Sequence, residues 1–172
     1  MNPFSYGKEV TGYQFYDRRE ACDDLYQTLK DGSSNVVLYA PRRYGKTSLV
    51  LKVLQRFKAE GVKCILFDMS KVDSVERFCA DYTAAVYSLW GGMPELVNQI
   101  KEYLVHLHPT FSFGEGLVPQ ISFAYGSRMG AQELSEVIDL PEKLAQRNSQ
   151  EVVVVAFDEF QDVAGLSKKI PL

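Results

Sequence analysis

The residues with the clearest capacity for chemistry lie between Ala40 and Thr47, where the sequence reads Ala-Pro-Arg-Arg-Tyr-Gly-Lys-Thr. Gly45 lets the backbone approach an anion without a Cβ in the way. Lys46 supplies a mobile positive charge, and Thr47 can offer its hydroxyl to Mg²⁺. These types at this spacing form a phosphate-binding loop (the Walker A pattern), with alanine at the position of its first glycine. The candidate cofactor-binding loop is therefore Ala40, Pro41, Arg42, Arg43, Tyr44, Gly45, Lys46, Thr47 and Ser48.

The segments on both sides of the loop predict how it is held. Val36–Tyr39 is an apolar, partly β-branched run, which predicts a strand buried on both faces. After Thr47 the apolar residues recur at helical spacing until Gly61, which predicts a helix. Such a helix directs its first-turn N–H groups and the positive end of its dipole toward a bound anion. The alternative is a basic turn between strand and helix, with Arg42 and Arg43 as solvated charges.

A second group of candidate residues follows the apolar run Val152–Phe157. This run predicts a buried strand that delivers Asp158 and Glu159 to the carboxyl edge of a sheet. Asp158 then takes the Mg²⁺-binding Walker B position, and Glu159 orients and deprotonates an attacking water. Taken alone, the pair is equally compatible with a solvated strand end, so its interpretation as a catalytic pair depends on the phosphate-binding loop at Gly45.

The rest of the chain alternates between helical and extended patterns. Lys63–Met69 predicts another buried strand, and Asp68 near its end suits either the site or a turn. Asp73 and Glu76 form a capping-box pattern at the start of a helix. The remaining predicted elements are helices over 17–30, 73–90, 94–107 and 131–147, the last broken or bent at Pro141, and a β-hairpin over 110–125.

Bulk composition excludes some classes of function. The 172 residues are 46% hydrophobic and 24% charged with a net charge of −3, which gives no global attraction to nucleic acid or to anionic membranes. Cys22, Cys64 and Cys79 lack metal-ligand spacing and lie in apolar-periodic segments, which predicts reduced core thiols. The pair His106 and His108 has no further ligand at metal-binding spacing. Without a signal-peptide pattern or a membrane-length apolar run, a cytoplasmic location is the expectation.

Four motifs together resemble a known family. They are Asn2-Pro3-Phe4-x-Tyr6-Gly7, Phe15-Tyr16-Asp17-Arg18, Ala40–Leu49 and Asp158-Glu159-Phe160-Gln161. On these the chain resembles the P-loop ATPases of the AAA-like superfamily, and more narrowly the prokaryotic archaeal-type ATPases related to the STAND signalling ATPases. The resemblance runs from the N-terminus to the last twenty residues.

The resemblance implies an α/β, three-layer P-loop NTPase fold around a parallel sheet, with ATP and Mg²⁺ as cofactors. It implies Lys46 on the phosphates, Thr47 and Asp158 on Mg²⁺, and Glu159 as the catalytic carboxylate. The resemblance also implies that residues 1–16 form an adenine-side lead segment and that Phe15 and Arg18 cover the adenine. Asp17 departs from the family, since many relatives carry glycine there.

In the resembled fold another strand separates the strand of the loop from the strand of Asp158, and none is predicted after Gln161. We therefore expect residues 1–172 to be the N-terminal portion of one ATPase domain, with an incomplete sheet. Expected partners are ATP or ADP and either a second copy or a missing C-terminal region, and no membrane. Three functions stay open: the ATP-hydrolysing switch of a larger signalling or defence ATPase, a binding module or truncated remnant without turnover, and a nucleic-acid-associated ATPase.

Overall fold

A computed structural model describes residues 18–31, 35–41, 43–114, 118–123, 130–148 and 152–167. The chain divides into two compact units, Met1–Cys64 and Ile65–Leu172, which are described in turn. Several predicted features lie outside the described residues: the lead segment 1–16 with Phe15, Asp17 at the start of the helix predicted over 17–30, and Arg42. The assignment of 1–172 to one ATPase domain stays a prediction.

The first unit contains two packed helices, α1 (Arg19–Lys30) and α2 (Lys46–Ala59). Each carries apolar residues at helical spacing, as the sequence predicts, and the rings of Tyr26 and Phe57 lie 4.7 Å apart between them. Packing of these faces, rather than intrinsic propensity, stabilises helices as short as these. The buried members are Cys22, Leu25 and Tyr26 of α1 and Ser48, Leu49, Val53, Leu54 and Phe57 of α2.

Polar contacts around Tyr26 join the two helices further. Its hydroxyl donates to the Glu60 carboxylate, while the Lys30 ammonium donates to Tyr26 Oη at 2.9 Å and lies 3.1 Å from Glu60 Oε2. Hydrogen bonds from Tyr26 and then Lys30 hold the pKa of Glu60 below its ordinary value. The Arg56 guanidinium lies 3.7 Å from the Tyr26 ring centroid and pairs with Asp23 at 2.6 Å. These contacts anchor α2 to α1, and the candidate loop leads into the start of α2.

The predicted buried strand over Val36–Tyr39 is wrong. These residues are described, but they are not in a strand, and the exposed fractions of their side chains alternate at 38, 87, 36 and 98%. The composition of β-branched and aromatic residues favours a strand, but it does not by itself form one. A strand also needs a neighbour to complete its hydrogen-bond ladder, and no described strand pairs with this segment.

The second unit is α/β, with a small parallel sheet made of β1 (Lys63–Asp68) and β4 (Val153–Asp158). Both strands were predicted, but the expected three-layer fold is not present in the described ranges, where the parallel sheet has these two strands. The elements between and after them are α3 (Val75–Leu89), α4 (Pro94–Tyr103), β2 (Thr110–Ser112), β3 (Gln120–Ser122), α5 (Ala131–Ile138), α6 (Leu140–Arg147) and α7 (Val163–Ser167).

Aromatic rings attach β4 to α3. Tyr82 stacks on Phe157 with centroids 5.7 Å apart, and Phe67 meets the Phe78 and Tyr82 rings edge-on at 5.4 and 5.5 Å. Such pairs contribute about 0.5–1.5 kcal/mol each beyond the area that they bury. Because Phe157 immediately precedes Asp158, this cluster fixes where β4 ends.

Local signals shift several boundaries. The Ser74 hydroxyl, rather than the predicted Asp73, caps α3 by accepting the Arg77 N–H at 3.1 Å. The helix predicted over 131–147 is two helices, and Pro141 lies in the first turn of α6, where its missing N–H costs nothing. The predicted hairpin is present as β2 and β3, which pair antiparallel with Phe111 opposite Ile121.

Candidate functional site

The candidate loop enters α2 through a left-handed residue. Gly45 is the N-cap of the helix at φ +72° and ψ +28°, a conformation that glycine adopts without steric strain. The first i→i−4 hydrogen bond runs from the Leu49 N–H to the Gly45 carbonyl at 3.0 Å. The amides of Lys46, Thr47 and Ser48 therefore belong to the first turn, and first-turn amides point out of the N-terminal end of a helix. That turn contains no acidic side chain, so its positive potential is not offset locally.

Lys46 curls back over the loop. Its Nζ donates to the carbonyls of Ala40 at 3.0 Å and Pro41 at 3.3 Å, and the Tyr44 N–H also donates to the Pro41 carbonyl at 3.3 Å. These hydrogen bonds connect the later residues of the loop to its first two residues, and two of them come from the positively charged ammonium of Lys46. An ammonium group has three N–H donors, so a phosphate oxygen can join or replace these carbonyls as an acceptor. The donors gathered here suit a polyphosphate.

Two further residues of the predicted site contribute to the loop. Arg43 adopts a left-handed backbone at φ +65°, which is uncommon for a residue with a side chain. Arg18 lies just before α1, and its guanidinium carbon is 4.9 Å from the centroid of the Tyr44 ring. The sequence places both Arg18 and Tyr44 among the site residues, but no sequence signal indicates that they touch.

The carboxylate pair lies where β4 ends. Asp158 is half-buried, and its Oδ1 accepts the Glu159 N–H at 3.0 Å. Glu159 is exposed and left-handed at φ +51°, so the chain leaves the strand there and turns into a 3₁₀ turn over Phe160–Asp162. The side chain of Gln161 donates to the Glu159 carboxylate. Carboxylate oxygens such as those of Asp158 are ligands that Mg²⁺ prefers.

Asp68 ends β1 at the same edge of the sheet, because the turns that follow β1 and β4 contact each other. Its carboxylate accepts the Ser70 N–H at 3.0 Å and the Ser70 hydroxyl at 2.6 Å, and it pairs with Lys71 at 3.0 Å. Hydrogen bonds from Ser70 and then Lys71 hold the pKa of Asp68 below its ordinary value. These contacts favour the turn-forming alternative for this residue.

Within each unit the structure brings together some of the predicted site residues. Lys46 meets Ala40 and Pro41, Arg18 meets Tyr44, and Thr47 and Ser48 lie in the first turn of α2. Asp158 and Glu159 belong to the second unit, so their role beside a bound nucleotide stays a prediction. Phe15 and Arg42 fall outside the described residues.

Other candidate sites have less support. His106 and His108 are both exposed, and within the described ranges no cluster of three or more His, Cys, Asp and Glu side chains could hold a metal ion. A groove of about 700 Å³ lies between α3 and the β2–β3 hairpin, and its lining contains none of the predicted site residues. No helix of the described residues has the length and apolarity needed to cross a membrane.

Comparison with known proteins gives one match. Residues 7–81 match the family model of the AAA-like domain, a range that includes α1, the candidate loop, α2 and β1. No curated protein and no solved structure matches the chain. The narrower archaeal-type, STAND-related assignment is not confirmed. The match covers less than half of the chain, and it supports an AAA-like, nucleotide-binding character for residues 7–81.

Proposed function

We propose that this chain binds ATP with Mg²⁺ through the loop 40–48 and acts as the ATP-hydrolysing part of a switch ATPase. One observation carries the proposal: a left-handed Gly45 opens a helix without first-turn acids, and Lys46 is folded over the same loop. Positive charge and first-turn amides at one point form a binding site for a polyphosphate. The match of residues 7–81 to the AAA-like domain supports the choice of a nucleotide as the ligand.

In this proposal the binding residues act through charge and geometry. The first-turn amides of α2 donate to the β-phosphate, and the Lys46 ammonium moves from the Ala40 and Pro41 carbonyls to the β- and γ-phosphate oxygens. Because a phosphate oxygen adds charge–charge attraction to the hydrogen bond from the ammonium, phosphate is a stronger acceptor for Lys46 than a neutral carbonyl. Thr47 and Asp158 would be the residues that hold Mg²⁺, and the ion would neutralise part of the negative charge that develops on the phosphates.

Glu159 is the proposed general base. It is exposed, and a carboxylate is a proton acceptor, so its role would be to orient and deprotonate the water that attacks the γ-phosphate. The choice of ATP over GTP rests on the likeness to AAA-like ATPases. The signalling or defence role, by analogy with the resembled family, is part of the proposal.

Two variants test the proposal. Lys46→Ala removes the charge over the loop and should abolish binding of Mg²⁺–ATP in a calorimetric titration. Glu159→Gln keeps the shape of the side chain but cannot accept the proton, so it should bind ATP as tightly as the wild type and release phosphate at least about a hundredfold more slowly. Unchanged ATP affinity in Lys46→Ala would refute the role of the loop.

A second candidate function is ATP binding without turnover. The hydrogen bond from Gln161 to the Glu159 carboxylate favours it, because this contact occupies the proposed base. If bound ATP stays intact over hours in the wild type and Glu159→Gln changes nothing measurable, the binding module is the correct function. Gln161→Ala is a useful companion variant, since freeing Glu159 should then increase phosphate release in a hydrolysing enzyme.

A further inference from the structure

The contact between Arg18 and Tyr44 has no role in the function derived above. The Tyr44 ring is 58% exposed, although it lies in the middle of the candidate loop. The guanidinium carbon of Arg18 lies over this ring, 4.9 Å from its centroid. A cation over an aromatic face is attracted by the quadrupole of the ring. Two residues 26 positions apart in sequence are thereby joined at the loop.

The backbones of both partners are fixed. The Arg18 carbonyl accepts the Cys22 N–H at 3.0 Å, which is the first helical hydrogen bond of α1. The Tyr44 N–H donates to the Pro41 carbonyl, and left-handed residues at Arg43 and Gly45 flank Tyr44 on both sides. A long arginine side chain has several rotatable bonds and is costly to order. A ring presented from a fixed turn reduces that freedom before any ligand arrives.

The charge on Arg18 is also available to an anion. In the part of the chain that the structure describes, no carboxylate forms an ion pair with Arg18. The five N–H donors of a guanidinium lie in its plane, and these are the groups with which arginine binds phosphate oxygens. Tyr44 directly precedes Gly45 and Lys46, so the ring that Arg18 contacts belongs to the residue adjacent in sequence to those that bind the phosphates in the proposed function.

We propose that Tyr44 is a positioning residue whose ring holds Arg18 beside the loop, where Arg18 contributes a second positive charge to the phosphates of the bound nucleotide. The inference rests on the proposed function and deepens it. It gives Arg18 a phosphate contact in place of the adenine contact that family resemblance implies. It also explains why an aromatic residue is exposed in a loop that otherwise contributes charge and backbone amides.

A double-mutant cycle tests this inference. Tyr44→Leu removes the aromatic face, Arg18→Gln removes the charge, and Tyr44→Phe is the matched control that keeps the ring. Calorimetry measures the affinity for Mg²⁺–ATP, and thermal unfolding confirms that each variant folds. Tyr44→Leu should weaken binding about two- to fivefold, the size expected for an exposed cation–π contact, whereas Tyr44→Phe should match the wild type. In the Arg18→Gln background, Tyr44→Leu should have no further effect.

Two additional measurements separate phosphate contact from a structural role. Arg18→Gln should weaken ATP binding more than AMP binding, and it should reduce the dependence of ATP affinity on salt, because one charge–charge contact is lost. Multiplicative effects of the two substitutions, or equal losses for ATP and AMP, would overturn the inference. If Lys46→Ala abolishes ATP binding but Tyr44→Leu leaves the ATP affinity unchanged, the positioning role of Tyr44 is refuted while the proposed function stands. If the wild type binds no nucleotide, both the positioning role and the proposed function are refuted.

Discussion

Replacing Gly45 by alanine separates backbone strain from phosphate binding. The residue is left-handed at φ +72°, and among the described atoms none lies within 4 Å of the position that a Cβ would take. The change therefore causes no clash, only conformational strain. A left-handed L-residue costs about 1–2 kcal/mol, and the reduced freedom of the unfolded chain offsets about 0.4–1 kcal/mol of it. We expect a net loss of about 1 kcal/mol, or about 2–4 °C in Tm for a chain of this length.

Gly61 provides a matched control. It is left-handed at φ +84°, follows the other end of α2, and also has no described atom within 4 Å of its Cβ position. Gly61→Ala should therefore lower the stability of the folded state by the same amount as Gly45→Ala. Only Gly45→Ala should lose affinity for Mg²⁺–ATP, by about tenfold or more, because its Cβ blocks close approach of the phosphate to the amides and removes a charge-assisted hydrogen bond.

The assays are thermal unfolding followed by circular dichroism and calorimetric titration with Mg²⁺–ATP. Equal stability losses with unequal affinities would support the loop as the binding element. The reasoning is refuted if Gly45→Ala binds Mg²⁺–ATP as tightly as Gly61→Ala, since the backbone at Gly45 would then have no part in recognition.

Three further predictions concern the fold. Tyr26→Phe removes the hydroxyl that links Lys30 to Glu60, so urea unfolding should show a loss of about 1 kcal/mol; no change would show that the link is not stabilising. Ser74→Ala should cost about 1 kcal/mol by removing the cap of α3, whereas Ser88→Ala, inside the same helix, should be neutral or slightly stabilising; the reverse order would contradict the cap. Burial raises the pKa of the Cys79 thiol to about 12, so at pH 8 only about one thiol in 10⁴ is ionised, and a thiol reagent should label Cys79 only after unfolding. Labelling of the native protein at Cys79 would contradict this burial.

Sequence patterns predicted the elements whose determinants are local. The face of α2 follows from apolar residues at helical spacing, and the position of Gly45 follows from the need for a residue without a Cβ at a left-handed turn. The strand ending at Asp158 follows from a continuous β-branched run. Each of these depends on a few consecutive residues, which is why the sequence alone identifies them.

Features that depend on a distant partner, or on the exact geometry of the backbone, were not predictable. Val36–Tyr39 has the composition of a buried strand, yet a ladder requires a neighbour that its own residues cannot specify. Ser74 rather than Asp73 caps α3, since both residue types suit the position and only the backbone geometry selects one. The contact of Arg18 with Tyr44 joins two segments through a turn, and no local pattern encodes it.

The most direct test of the central claim is the thermal shift that Mg²⁺–ATP produces in the wild type and in Lys46→Ala. A ligand at a hundred times its dissociation constant stabilises the folded state by about 2.7 kcal/mol, which corresponds to about 5–10 °C for a chain of this size. We expect this shift in the wild type, none in Lys46→Ala, and little with AMP, which lacks the β- and γ-phosphates. An unchanged Tm of the wild type at millimolar Mg²⁺–ATP, or an equal shift in Lys46→Ala, would contradict the assignment of residues 40–48 as a nucleotide-binding loop.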